Sequence, residues 1–367
     1  MKVIISKIDL TSLIGKIQNI IPVKPAMPIL VNIALEAVND QLIVTATDLS
    51  VSIRVHCEAK VSQEGSITLP AKRFFQLIRE FTAPQVEIHA QTPELAHINA
   101  GTSHFKIHGI AKDEFPELPD MSKGSIMQMN TQTLKDMLSK TVFAAARDDS
   151  RQELNGVLLQ TTNSMATFIG TDGKKLAKSF TSLPSDLTEI EGSYILPVKS
   201  VEEIIRLLDP KEEKVSLSLL KDKISIEVGN ALLISKLISG QYPDISRIIP
   251  EKRKHPIQLH REELTSLLRQ VSLFTSDNSS SVRFTFTSGE LHLSATSGDI
   301  GEGKVHMPAN YEGEKIEIAF NPNYFLDILR HIKDETVDFN VRDSYNPGMI
   351  TDTSNALFVL MPMRLDI

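Results

Sequence analysis

The sequence contains no tryptophan, a single cysteine and only 5% aromatic residues in a chain of 367. One cysteine, Cys57, cannot close an internal disulfide or build a thiolate cage, which excludes a disulfide scaffold and a zinc module of the thiolate type. A small buried apolar residue is its expected role. Seventeen glycines and eighteen prolines are too few for a collagenous or linker-like chain. No stretch reaches the roughly eighteen apolar residues of a membrane-spanning helix. The opening Met1–Asp9 lacks the apolar core and small-residue cleavage site of a signal peptide, so a cytoplasmic location is expected. The net charge of −7 argues against a generally basic, nucleic-acid-coating protein. It leaves room for a local basic surface, because charge acts where it is placed.

Catalytic and metal signatures are equally sparse. Gly298-Asp299-Ile300-Gly301-Glu302-Gly303-Lys304 matches part of a phosphate-binding loop. However, Val305 stands where a Ser or Thr hydroxyl is needed, Asp299 and Glu302 would repel phosphate, and Val305-His306-Met307-Pro308 cannot open the required helix. His104 and His108 have helical ligand spacing, but His104-Phe105-Lys106-Ile107-His108 alternates like a strand. No Gly-x-Ser-x-Gly elbow occurs. Neither a metal nor a cofactor is expected.

The sequence does contain repetition. Leu69-Pro70-Ala71-Lys72-Arg73-Phe74-Phe75 returns as Leu196-Pro197-Val198-Lys199-Ser200-Val201-Glu202, and more distantly as Phe320-Asn321-Pro322-Asn323-Tyr324-Phe325-Leu326. Leu10-Thr11-Ser12-Leu13-Ile14, Leu134-Lys135-Asp136-Met137-Leu138 and Leu264-Thr265-Ser266-Leu267-Leu268 each open a helical pattern. Turn-forming pairs follow at Asn39-Asp40, Asn163-Ser164 and Ser288-Gly289. Ala46-Thr47-Asp48, Gly170-Thr171-Asp172 and Ala295-Thr296-Ser297 come next. All four sets share a period of about 125 residues, which is domain-sized. Three domains are expected at 1–124, 125–252 and 253–367.

Each copy reads helix, hairpin, further strands, helix and final strands. The first helix carries Leu10, Leu13, Ile14 and Ile17 at i, i+3, i+4 and i+7, and strands are expected at Val86–His89, Val215–Leu219 and Val337–Asn340. Two short helices per copy among hairpin-connected strands give an α+β class, three repeated domains with helices packed on antiparallel sheet. An enzyme with a site at a domain junction of this triplicated scaffold is the alternative. It would need one repeat to hold a convergent polar set that the others lack, and none is visible.

The helical segments are rich in cations. Segment 10–24 has Lys16 and Lys24 without an acid, and 71–80 has Lys72, Arg73 and Arg79 against Glu80. Segment 133–147 has Lys135, Lys140 and Arg147 against Asp136, 322–333 has one cation in surplus, and 197–208 and 261–271 balance. A cationic helical surface in an anionic protein suits phosphate contacts without base readout. Ala356–Leu365 is the most apolar stretch. Pro362 cannot donate to a strand ladder, so an edge or tail is expected there, and Met361 and Met363 around it make an adaptable surface for a partner.

The chain resembles the bacterial β sliding clamp, the processivity subunit of DNA polymerase III. The resemblance runs over the full length. It rests on the threefold repeat, Pro28-Ile29-Leu30, Leu69-Pro70-Ala71-Lys72, Leu154-Asn155-Gly156, Thr171-Asp172-Gly173, Tyr242-Pro243-Asp244, Phe320-Asn321 and Met361-Pro362-Met363-Arg364-Leu365. It implies a non-catalytic homodimer, joined head to tail into a closed six-domain ring, with helices lining the hole and sheets outside. The implied partners are encircled duplex DNA, the replicative polymerase, the clamp loader, and translesion and repair proteins carrying a Gln-Leu-x-Leu-Phe-like motif.

The resemblance also implies sites. The partner-peptide pocket would be walled by Leu154, Thr171, Gly173, Lys174, Lys175, Leu176, Pro243, Arg247, Ile248, Val359, Leu360, Met361, Pro362, Met363, Arg364 and Leu365, with Asn321 and Tyr324 at its edge. Lys174-Lys175 replace the His-Arg or Lys-Arg frequent in the family, and Ser279 stands where some relatives have an aromatic ring. For DNA the matching positions are Lys24, Lys72, Arg147, Gln152 and Lys199, with Asp148 and Glu153 unfavourable to phosphate nearby. At the seam between chains, Phe105 and Ile107 are expected to meet Leu273 and Phe274, with Arg73 in an ion pair across it.

Overall fold

The computed structural model describes residues 1–162, 164–183, 190–251, 255–275 and 280–364. Two compact units form, Met1–Lys135 with Lys199–Leu237, and Asp136–Val198 with Ile238–Ile367. Six α-helices lie among the described residues: α1 (Lys7–Ile17), α2 (Ala71–Glu80), α3 (Thr131–Val142), α4 (Val198–Leu207), α5 (Arg261–Ser272) and α6 (Pro322–Arg330).

The first unit holds two antiparallel sheets. One has the order β5 (Lys60–Gln63), β1 (Lys2–Ser6), β7 (Gln85–Thr92), β8 (Leu95–Ala100) and β9 (Ser103–His108). The other runs β10 (Ser125–Asn130), β15 (Lys214–Leu219), β16 (Lys223–Val228), β17 (Ala231–Lys236), β4 (Val51–Glu58), β3 (Gln41–Thr47), β2 (Asn32–Val38) and β6 (Gly65–Pro70).

In the second unit the larger sheet runs β14 (Gly192–Pro197), β11 (Gly156–Thr162), β12 (Met165–Thr171), β13 (Lys175–Ser182), β25 (Ala356–Leu360), β24 (Gly348–Thr351), β23 (Thr336–Asn340) and β18 (Ile257–His260). The smaller runs β21 (Gly301–Pro308), β20 (Glu290–Ser297), β19 (Val282–Thr287) and β22 (Ile316–Phe320). Each large sheet is therefore shared by successive repeats: β17 pairs with β4, with Leu233 opposite Ile53, and β25 pairs with β13, with Val359 opposite Leu176.

Local chemistry explains the elements. The α1 stripe buries Leu10, Leu13, Ile14 and Ile17 as the spacing requires. Pro70 and Pro197 each end an edge strand, where a missing N–H costs no ladder bond, and a helix starts at the next residue. Asn321 caps α6 by accepting the Asn323 N–H at 2.9 Å, and Pro322 takes the first turn. Asn39 and Asp40 both adopt positive φ, 49° and 52°, which closes the β2–β3 hairpin with a twist matching its strands. Of the second turn pair, Asn163 lies outside the described residues.

Two expectations are corrected. First, helix α1 stops at Ile17 in a 3-10 turn ahead of Pro22, and α3 stops at Val142, where Ala144 and Ala145 make i→i−3 bonds. Lys24 and Arg147 thus sit in the loops that follow, Lys333 lies past α6, and the helical cation surplus is smaller than the segments suggested. Second, Cys57 is only half-buried on β4; partial burial, then Asp9 and Glu58, push its thiol up to about 11. The tail expected from Pro362 is there: β25 is an interior strand, and after it, among the described residues, come no ladder and only the isolated bridge Ala319–Met363. The chain beyond β25 is tied down, with Met361 N–H donating to Lys174 O at 2.9 Å and Met363 N–H to Ala319 O at 2.8 Å.

Candidate functional site

The second unit builds its site around the β12–β13 turn. Thr171 Oγ1 donates to Lys175 O at 2.7 Å and accepts the Gly173 N–H at 3.0 Å. The Asp172 carboxylate accepts the N–H groups of Lys174 and Lys175, both at 2.8 Å. This geometry places Gly173 at φ +83°, a region that favours glycine. The first unit repeats the turn at Thr47-Asp48-Leu49, where Asp48 accepts from Ser50 and Val51 and Leu49 takes φ +74°.

Lys175 and Lys174 differ. Lys175 is nearly buried, its ammonium 3.2 Å from Asp172 and 4.3 Å from the centre of the Tyr324 ring. Lys174 is exposed. With Tyr324 they line an open cleft of about 690 Å³ that also holds Arg147, Arg330 and His331. His331 stacks on Phe143 at 4.2 Å and makes a 2.7 Å hydrogen bond with Asp327 O.

The apolar side of the site is a cluster of Leu158, Ile169, Leu176, Ile195, Met349 and Val359, flanked by half-buried Tyr242, Ile245 and Ile248. Tyr242 is fixed by a 3.3 Å bond from its hydroxyl to Ile169 O, and burial pushes its phenol well above the usual range. Met361, which follows Val359-Leu360 in sequence, is 40% exposed, Pro362 and Met363 are half-buried, and Arg364 is exposed. Pro243 and Arg247 are exposed, with Arg247 3.8 Å from Asp244. Leu154, Thr171 and Leu360 are buried, and the Asn321 side chain serves as a helix cap. Leu365 and Ser279 lie outside the described residues. Ile169, Tyr242, Ile245 and Met349 were missing from the sequence reading. Tyr242 had a signal in Tyr-Pro-Asp, whereas Met349 joins only because β24 pairs it with Val359.

The cationic candidates divide by commitment. Lys7 donates to Arg79 O and Phe81 O, Lys16 to Asn230, Lys135 to Leu208 O, and Lys140 to Ser354. Lys199 is paired with Asp48. Lys72, Arg73 and Arg79 all stay exposed on α2, as does Lys24 in the loop after α1. Lys72 and Arg79 flank a largely apolar cleft of about 560 Å³ with Val23 and Phe75. In the second unit Arg147 and Gln152 are exposed, and Asp149 is held at about 2, first by the Arg151 side-chain hydrogen bond.

At the expected seam, Phe105 is 43% and Leu273 72% exposed. Ile107 is half-buried on edge strand β9. Phe274 packs against its own core and so close to Gly303 that a Cβ there would lie 2.7 Å from the ring. Among the described residues no three His, Cys, Asp or Glu side chains gather as metal ligands, and no helix is long and apolar enough to cross a membrane.

Comparison with known proteins decides the family. The N-terminal, central and C-terminal domains of the DNA polymerase III beta subunit match residues 1–119, 128–244 and 246–364. The chain belongs to the DNA polymerase III beta subunit family. It is similar to the Beta sliding clamp of Chlamydia muridarum, 48% identical over 365 residues that cover all of this chain and 99% of that one. It is also similar to that of Haemophilus influenzae, 28% identical with 98% and 99% covered. The solved DNA polymerase sliding clamp from Bacillus subtilis superposes with a TM-score of 0.94 at 26% identity, covering 100% and 99% of the two chains. As a DNA polymerase III beta subunit, this chain functions as a DNA sliding clamp, a processivity factor and not an enzyme.

Proposed function

We propose that two chains join head to tail, each contributing domains 1–124, 125–252 and 253–367, and close around duplex DNA in the cytoplasm. The observation that carries this reading is the repeat logic of the sheets. Strands β9, β17 and β25 occupy equivalent places in the three repeats, as do β21, β4 and β13. Inside the chain the first set pairs with the second, β17 on β4 and β25 on β13, which leaves β9 and β21 as free edges. An exposed edge carrying Phe105 and an exposed Leu273 near the other are what two such head-to-tail joints, closing a ring, would cover. Arg73 stands exposed for an ion pair at that joint.

Enclosure makes weak phosphate contacts sufficient. Lys24, Lys72, Arg147, Gln152 and Lys199 would touch the backbone without reading sequence, and their binding would fall with salt. The polymerase, clamp loader, translesion and repair proteins would dock a Gln-Leu-x-Leu-Phe-like segment against Leu176, Ile248, Val359 and Met361, with Lys174 and Tyr324 at the polar side. Burying two leucines and a phenylalanine at about 1.5–3 kcal/mol each, less ordering costs, suits micromolar and exchangeable partners. The sliding clamp of Pseudomonas aeruginosa has been solved bound to griselimycin, so a relative at 26% identity does accept a ligand.

The direct test titrates a fluorescent Gln-Leu-Asp-Leu-Phe peptide against the chain and a variant truncated after Pro362. Micromolar binding lost on truncation is expected. Equal binding by both forms would place the peptide elsewhere.

A further inference from the structure

The first unit contains the repeat-equivalent of the apolar site, and its chemistry is inverted. The isolated bridge Ile195–Ile238 in the second unit corresponds to Thr68–Ile110 in the first. Cross-strand neighbours Leu158 and Ile169 correspond to Ala34 and Thr45, and the pair Met349–Val359 to Ser225–Ile234. Leu176 becomes Ser52. Apolar character survives at Ile110, Phe115 and Ile234, but Leu158, Ile169, Leu176, Ile195 and Met349 have become Ala, Thr, Ser, Thr and Ser.

The result is an open, polar cleft of about 610 Å³ between the sheet and the 112–121 segment. Thr45 and Arg54 face each other across β3 and β4 in its wall. Thr45 is only 3% exposed, and neither its Oγ1 nor the buried Arg54 Nε has a hydrogen-bond partner among the described residues. An N–H and a hydroxyl left this way carry a desolvation penalty that an acceptor from outside would remove. The rim is acidic: Lys112 neutralises Glu36, whereas Asp113 and Glu117 are exposed.

We infer that this cleft is a second peptide site, selective for a basic segment carrying a glutamine or asparagine. The amide oxygen accepts from Arg54 Nε–H and Thr45 Oγ1–H, and flanking lysines or arginines meet Asp113 and Glu117. A free carboxylate is disfavoured by that rim, and a leucine would leave both floor donors buried without a partner. The choice of a peptide as occupant rests on the peptide reading of the equivalent site in the second unit.

The test uses full-length chain labelled with ¹⁵N-arginine. The Arg54 Nε–Hε signal is assigned by its absence from Arg54→Lys and followed while acetyl-Lys-Gln-Lys-amide is added. A saturable shift is expected, weakened about tenfold in Thr45→Val, which keeps the side-chain volume. Met361→Asp, altered only in the second unit, should give the unaltered curve. A signal that stays still up to about 10 mM probe overturns the inference, as does an equal shift in Thr45→Val. Movement of the same signal by acetyl-Gln-Leu-Asp-Leu-Phe-amide at lower concentration overturns the polar selectivity. Failure of the second-unit reading shows separately, as no binding of that apolar peptide to unaltered protein.

Discussion

Lys175 holds its ammonium 4.3 Å from the centre of the Tyr324 ring. Since the same group is 3.2 Å from Asp172 and only 10% of the side chain is exposed, it braces the β12–β13 turn. Lys175→Ala is expected to cost about 1–2 kcal/mol of stability in urea unfolding, through the lost cation–π contact and a partly buried ion pair. Lys174→Ala, at an exposed position, should stay within about 0.5 kcal/mol and show its effect in the salt dependence of peptide affinity. Equal stability losses for both would refute this division.

The two copies of the Thr-Asp turn give a matched pair of substitutions. Gly173→Ala forces a side chain into φ +83° and should destabilise by about 1 kcal/mol. Leu49→Gly relieves a leucine at φ +74° and should stabilise by about 0.5 kcal/mol after the entropy cost of glycine. Both are read as shifts in urea midpoint at constant slope. A stabilised Gly173→Ala would mean the turn relaxes away from this geometry.

Leu273 and Phe274 are neighbours with different duties. Leu273→Asp should yield monomers by light scattering while leaving the melting temperature of the monomer close to that of the unaltered fold, because the side chain is 72% exposed. Phe274→Ala should destabilise the chain itself by roughly 2–4 kcal/mol, since its ring packs on Gly303 and the core. A Leu273→Asp protein that remains dimeric would move the seam elsewhere.

Several carboxylates of the second unit lie below their usual range. Arg151 does this to Asp149, the Thr353 hydroxyl and N–H to Asp334, and the Tyr345 and Asn346 N–H groups to Asp343. For depressed acids the stabilisation is present above the unfolded value near 4 and is lost as pH falls through the folded value. Stability should therefore be flat in these groups from pH 5 upward and fall between about pH 4 and 2. Asp149→Asn should make that acid limb shallower in denaturant titrations at pH 3 and 6; an unchanged limb would show that Arg151 contributes nothing there.

Much of the architecture was legible because it is written locally. The α1 stripe, the Asn39-Asp40 turn and the Pro70 and Pro197 strand ends each depend on residues a few positions apart. What escaped depends on pairing at long range. Strands β1, β10 and β18 carry no turn signature, and the placement of β25 inside a sheet is fixed by β13, about 180 residues earlier. The same applies to the site. Met361, Leu176 and Ile248 came from the family resemblance, whereas Met349 entered through register alone and the burial of Lys175 through Tyr324 on α6.

Sharing of sheets between repeats has a consequence for any attempt to cut the chain. Residues 125–252 in isolation would expose β17 without β4 and β13 without β25, two long ladders of bare N–H and C=O groups flanked by apolar side chains. Such a fragment is an adhesive strip with unlike ends, able to join copies of itself in series. The register that gives the intact chain its order would, one repeat at a time, give a fibre.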